Sequence, residues 1–185
     1  TSGSAPMTEA VHAAFFERTG QRILERYGMT EAGIITSNPL EGQRIPGTVG
    51  MVLPGYELRV ATDEGECAPG ETGVVEIRGE HLFAGYWQLP DKTAEEHRPD
   101  DFFITGDVGS LDETGRLTLE GRSGDMIISG GENIYPKEIE LCLDETDGVA
   151  ESAVVGLPHP AFGEAVTAFI VVDGEFDEDR ARATL

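Results

Sequence analysis

Glycine and proline cut the middle of this chain into short apolar runs. Tyr56–Val60, Gly73–Arg78, Phe102–Ile104 and Leu117–Leu119 are each flanked closely by Gly or Pro. Runs this short with turn residues at both ends read as strands. Four of them at this spacing predict an antiparallel, barrel-like or meander subdomain. Upstream, Met7, Val11, Ala14 and Phe15 recur at helical spacing, with Gly20 placed to end the helix. A strand-like run, Arg22 to Tyr27, follows, and then a stretch rich in Gly, Thr, Ser, Asn and Pro that reads as loop to about Pro54.

The texture changes after Gly121-Arg122. Met126-Ile127-Ile128 reads as a strand ended by Gly130-Gly131. Pro136 suits a first helical position, Ile139, Cys142 and Leu143 supply an apolar face, and Gly148 stops the helix. Ala153–Leu157 and Ala165–Val172 read as strands, and Asp177 as a helix start shortly before Leu185. The second half is therefore expected to be α+β and to stop within an element. No internal repeat or low-complexity segment is visible.

Charge narrows the partners. A formal net charge of -22 repels nucleic acid and anionic membrane surfaces. Lys92 and Lys137 are the only lysines. An anionic ligand must then be held by a few placed groups, by backbone N–H donors or by a metal. No apolar run approaches the roughly 20 residues that span a bilayer, and the first residues lack the basic and apolar regions of a secretion signal. The absent initiator Met suggests a piece of something longer. Two cysteines, Cys67 and Cys142, with no Cys/His cluster, suggest neither zinc nor a disulfide framework, and a cytoplasmic setting is expected.

Three constellations carry chemistry. In Tyr27-Gly28-Met29-Thr30-Glu31 a hydroxyl stands beside a carboxylate, which suits a phosphate–Mg²⁺ site and equally an ordinary turn. In Thr105-Gly106-Asp107 a carboxylate at a strand end can accept from two ribose hydroxyls, or can simply cap a turn. In the run from Gly121 to Glu140, Arg122 adjoins a flexible stretch, and Ser129-Gly130-Gly131 leaves room for a narrow chain to pass. That run also reads as a hairpin turn leading into a capped helix.

The order and spacing of these motifs, with Gly-Arg-x-x-Asp-x-Ile-x-x-Gly-Gly-x-Asn-Ile-Tyr-Pro-x-Glu-Ile-Glu after the first two, resemble adenylate-forming enzymes. That superfamily holds acyl-CoA synthetases, peptide-synthetase adenylation domains and luciferases. Gly73–Gly79 and Gly85-Tyr86-Trp87 also match its pattern, with mostly structural roles expected. The resemblance implies an α/β (α+β) fold: residues 1–122 as the end of a large N-terminal domain with a β-rich subdomain, 123–125 as hinge, and 126–185 as the start of a small C-terminal domain.

The resemblance further implies roles. Gly3, Ser4, Ala5 and Pro6 would lie against adenine, with Tyr27 packed on the ring. Gly28 would belong to the ATP site, Thr30 would contact phosphate, and Glu31 would ligate Mg²⁺, so that Thr30 and Glu31 serve the chemistry. Asp107 would bind both ribose hydroxyls, and Arg122 ribose or phosphate. Ser129, Gly130 and Gly131 would guide the pantetheine of CoA. Gly124 falls at the hinge, where a charged residue is more usual. The family's phosphate loop with its Lys and its C-terminal catalytic lysine match nothing here, and Lys92 and Lys137 sit in other contexts. Their remaining parts are expected in the remainder of the same enzyme, and the 185 residues alone are expected to be inactive.

Thr36-Ser37-Asn38-Pro39 and Arg44-Ile45-Pro46-Gly47-Thr48-Val49-Gly50 are most similar to malonyl-CoA synthetases. A dicarboxylic acid keeps one free charge, and a bidentate Arg is the usual partner. Arg44, the only basic residue between Arg26 and Arg59, is the candidate, against a plain loop role. A carrier-loading adenylation domain, a fatty or aryl acid–CoA ligase, and a purely assembling piece are the alternatives.

Overall fold

The computed structural model describes residues 1–3, 7, 9–174, 176 and 181. Ser4, Ala5, Pro6 and Asp177 lie outside the described residues. The chain forms two compact units, Thr1–Leu119 and Glu120–Leu185.

The first unit opens on helix α1, Glu9–Thr19. Gly20 ends it at φ +66° and donates its N–H to the Phe16 carbonyl, the glycine C-cap expected from the sequence. His12 on α1 meets Glu25 at 2.5 Å, both side chains buried, and so ties the helix to the approach to the first strand. Strands β1 (Arg26–Met29), β2 (Gly33–Ser37), β3 (Gly50–Val52), β4 (Tyr56–Thr62), β5 (Gly65–Glu66), β6 (Thr72–Gly79), β7 (Phe103–Leu111) and β8 (Arg116–Arg122) form one sheet in the order β1-β2-β3-β8-β7-β6-β4-β5. Helix α2, Pro90–Glu95, lies in the β6–β7 connection.

The expected loop between Tyr27 and Pro54 is corrected: it contains β2 and β3. Both strands are short, and of their residues only Ile35, Thr36 and Gly50 are buried. Thr36 is fully buried because its hydroxyl donates to the Val49 carbonyl at 2.8 Å. Ile35 meets Val75, Ile77, Phe103 and Leu117 in the core of this unit. Each such side chain stabilises the fold by roughly 1.5–3 kcal/mol relative to exposure.

This sheet is curled. β1 and β7 are four places apart in strand order, about 19 Å at the usual ~4.8 Å spacing. Yet Tyr27 of β1 hydrogen-bonds Asp107 of β7 at 2.6 Å. A flat sheet would hold them far out of reach, so the barrel-like expectation describes the curvature.

In the second unit, β9 (Ile127–Ser129), β10 (Glu132–Ile134), β11 (Val149–His159) and β12 (Gly163–Val172) form a sheet in the order β10-β9-β12-β11. Helix α3, Pro136–Asp144, starts on its proline as expected. Ile127, Leu143, Val154 and Ala181 are the buried core, with Ile139 and Ile170 packed beside them.

Candidate functional site

Three backbone devices build the site in the first unit. The first is the β1–β2 hairpin, whose tip is Thr30-Glu31-Ala32. Ala32 donates its N–H to the Met29 carbonyl, and Gly33 follows at φ +70°. That is a tight three-residue connection that needs a left-handed residue at its end. Gly28 is required for close approach, since a Cβ there would sit 2.1 Å from the Gly33 carbonyl oxygen. Thr30 is exposed and Glu31 half-buried.

The second device is a bulge in β7. Ile104 pairs with Glu76 and Val108 with Val74, leaving Thr105, Gly106 and Asp107 opposite Val75 alone. Gly106 takes φ +75°, the Thr105 hydroxyl donates to the Val75 carbonyl at 2.8 Å, and the Asp107 N–H donates to Thr105 Oγ1 at 3.1 Å. Asp107 was expected at a strand end. It sits instead inside a strand that the bulge bends, which re-aims its side chain. Its carboxylate is buried and accepts from the Tyr27 hydroxyl at 2.6 Å. Tyr27 itself belongs to the hydrophobic core.

The third device is the connection after β6. The Phe83 N–H donates to the Glu31 carbonyl at 2.8 Å. The Phe83 ring meets Tyr86 at 4.8 Å and Phe103 at 5.4 Å, both edge-on. The Tyr86 hydroxyl lies 3.1 Å from Glu31 Oε1 and 2.8 Å from Glu96 Oε2. Burial, then the hydrogen bonds and charges of Glu96 and Glu31, push the phenol pKa far above its ordinary range, so it stays a donor at neutral pH. The resemblance implied a mostly structural role for Gly85-Tyr86-Trp87. The contact with Glu31 spans 55 positions, and no local pattern announces it.

Gly3 lies against β1: a Cβ there would sit 2.7 Å from the Arg26 carbonyl oxygen, and Ser2 exchanges backbone bonds with Leu24 and Arg26. Arg44 lies in the connection between β2 and β3. Its guanidinium donates to the carbonyls of Arg22 at 2.5 Å, Leu40 at 2.8 Å and Pro39 at 3.2 Å, and so staples its own loop.

In the second unit, Ser129-Gly130-Gly131-Glu132 is a two-residue β-hairpin turn with Gly130 at φ +62° and Gly131 at φ +95°. Two consecutive left-handed positions explain the Gly-Gly pair. Gly130 donates its N–H to the Phe162 carbonyl at 2.9 Å. Arg122 ends β8 as an exposed residue. Gly124 sits in a single 3-10 turn, Ser123–Asp125, with open space where a Cβ would be.

Among the described residues no group of three or more His, Cys, Asp or Glu could hold a metal ion, and no helix is long and apolar enough to cross a membrane. Mg²⁺ is usually held through one or two carboxylates plus substrate phosphates, so a single half-buried Glu31 beside the Thr30 hydroxyl fits that cation.

Residues 1–87 match the AMP-binding enzyme family, and residues 138–185 match the AMP-binding enzyme C-terminal domain. The chain is 42% identical to a malonate–CoA ligase of Arabidopsis thaliana over 93% of its own length and 28% of that protein. It is 40% identical to a long-chain-fatty-acid–CoA ligase of Salmonella typhimurium over 91% of its length and 30% of that protein. Its fold matches ATP-bound MatB from Rhodopseudomonas palustris at a TM-score of 0.94 and 48% identity, covering 99% of this chain and 37% of that one. The chain thus spans about a third of the length of these proteins. With both family segments in order along it, the chain belongs to the AMP-binding, adenylate-forming enzyme family.

Proposed function

We propose that the protein of which this chain is part is an ATP-dependent acid–CoA ligase. A carboxylate attacks the α-phosphorus of ATP to give an acyl-adenylate and pyrophosphate, and the CoA thiol then displaces AMP to give a thioester. The observation that carries this reading is the buried Asp107 carboxylate, turned by its bulge and held by Tyr27. A carboxylate fixed in this way is suited to accept from two vicinal ribose hydroxyls. In the same reading Gly3 and the Tyr27 ring serve adenine, Gly28 lines the ATP site, Thr30 serves phosphate, and Glu31 holds Mg²⁺. The cation would supply charge neutralisation on the phosphates. Arg122 serves ribose or phosphate, Ser129, Gly130 and Gly131 line the path of the pantetheine, and Gly124 is the pivot between half-reactions. Two free cysteines suit a cytoplasmic enzyme.

Malonate, or another small dicarboxylate, is the proposed acid, supported by the Arabidopsis relative. A fatty acid is the second reading, because the Salmonella ligase is nearly as similar. AMP formation by the intact enzyme with malonate, methylmalonate, butyrate and palmitate separates them. Absence of AMP with every acid in the presence of CoA would overturn the ligase reading. Arg44 serves the free carboxylate of the acid in this reading: its guanidinium gives three N–H groups to carbonyls and has five in all. Arg44→Ala is expected to lower the malonate-to-butyrate ratio of kcat/KM. An unchanged ratio would make Arg44 a loop residue.

A further inference from the structure

We propose that Tyr86 is a positioning residue for Glu31, with Glu96 as the alternative acceptor that frees Glu31 for a cation. The proposal rests on the reading of Glu31 as the Mg²⁺ ligand. One phenol carries one hydrogen, yet two carboxylate oxygens lie within hydrogen-bond distance of it, Glu31 Oε1 at 3.1 Å and Glu96 Oε2 at 2.8 Å. When the hydroxyl donates to Glu31 it fixes the rotamer of a side chain at a hairpin tip. When a cation takes the Glu31 oxygens, the hydroxyl turns to Glu96, and no part-buried donor is stranded. Stranding it would cost the desolvation of that group.

The surroundings hold the phenol for this task. The Tyr86 N–H donates to Thr93 Oγ1 of α2 at 2.9 Å. Gly85, at φ +132°, brings the chain so close to Thr93 that a Cβ there would sit 2.8 Å from its Cγ2. Lys92 lies over the Tyr86 ring at 5.3 Å and 3.2 Å from Glu96 Oε1, and so holds the oxygen of Glu96 that does not face the phenol. Phe83 joins the two halves, its ring against Tyr86 and its N–H on the Glu31 carbonyl. Glu31, Tyr86, Glu96 and Lys92 thus form one chain of contacts reaching from the β1–β2 turn to α2.

The test uses the intact enzyme and reads Mn²⁺ binding by electron paramagnetic resonance in the presence of α,β-methylene-ATP, alongside the Mg²⁺ dependence of ATP–pyrophosphate exchange. Tyr86→Phe keeps the ring and removes the donor. It is expected to weaken Mn²⁺ binding about 5- to 10-fold, to raise the Mg²⁺ requirement by the same factor, and to leave KM for the acid unchanged. Glu96→Gln keeps an acceptor oxygen and should bind Mn²⁺ nearly as wild type, whereas Glu96→Ala should weaken it. In a Glu31→Gln background Tyr86→Phe should add nothing. If Glu31→Gln alone leaves Mn²⁺ binding intact, the Glu31 reading fails. If Glu31→Gln weakens it while Tyr86→Phe does not, or if Glu96→Gln and Glu96→Ala behave alike, the positioning proposal fails and the Glu31 reading stands.

Discussion

Replacing Tyr27 by Phe isolates one hydroxyl and keeps the ring in the core. That hydroxyl donates at 2.6 Å to Asp107, which is 8% exposed. A hydrogen bond to a charged partner contributes about 1.5–3 kcal/mol. The bond joins two strands that are four places apart in the sheet order, so its loss should loosen both β1 and β7 where they meet. At about 1.4 kcal/mol per decade, amides of Arg26–Met29 and Phe103–Leu111 that exchange through this opening should exchange roughly 10- to 150-fold faster. Hydrogen exchange read by mass spectrometry on the intact enzyme measures this directly. ATP binding should suffer less. The bond lies within the protein, so its deletion costs mainly the fixed orientation of the carboxylate. KM for ATP should rise a few-fold in Tyr27→Phe and far more in Asp107→Ala, which removes the proposed ribose acceptor itself. Unchanged exchange in both strands would refute the role of the hydroxyl as a cross-sheet tie. A KM for ATP unchanged in Asp107→Ala would refute the ribose assignment.

Other perturbations probe the frame of the site. Glu76 is fully buried between Arg59 and Arg98, at 2.7 Å and 2.6 Å; Glu76→Ala leaves both cations short of a partner and should cost about 3–5 kcal/mol, read as lost soluble yield or a lower denaturation midpoint. Asp100 is held below the usual carboxylate range chiefly by the Arg59 hydrogen bond. Its contribution is therefore present above an ordinary pKa near 3.9 and fades as pH falls through the lower folded value, so the gap in midpoint between wild type and Asp100→Asn should shrink below about pH 4. At Gly124, open space and an ordinary φ mean that Gly124→Ala should be silent, whereas Gly124→Pro fixes φ near -65° and should harm one half-reaction more than the other. Equal loss in adenylation and thioester formation would remove Gly124 as the pivot.

The sequence by itself determined the elements whose cause is local. Gly20 ends α1, Pro136 opens α3, and Gly130-Gly131 forms the β9–β10 turn, because each depends on φ values its own residue permits. It also determined the family, since Tyr27–Glu31, Thr105–Asp107 and the Gly121–Glu140 run stand in one order along the chain. The tertiary structure decided what depends on distant partners. β2 and β3 are short and lie among Gly, Pro, Ser and Asn, so they look like loop; Thr36 in β2 and Asn38 just after it are buried because the carbonyls of Val49, Thr48 and Glu25 accept from them. The carbonyl partners of Arg44 also come from the fold, one of them at Arg22, 22 positions away. Tyr27 and Asp107, 80 positions apart, and Tyr86 and Glu31, 55 apart, meet only because the sheet curls. Curvature arises from bulges and twist accumulated over many strands, and no window of sequence contains it.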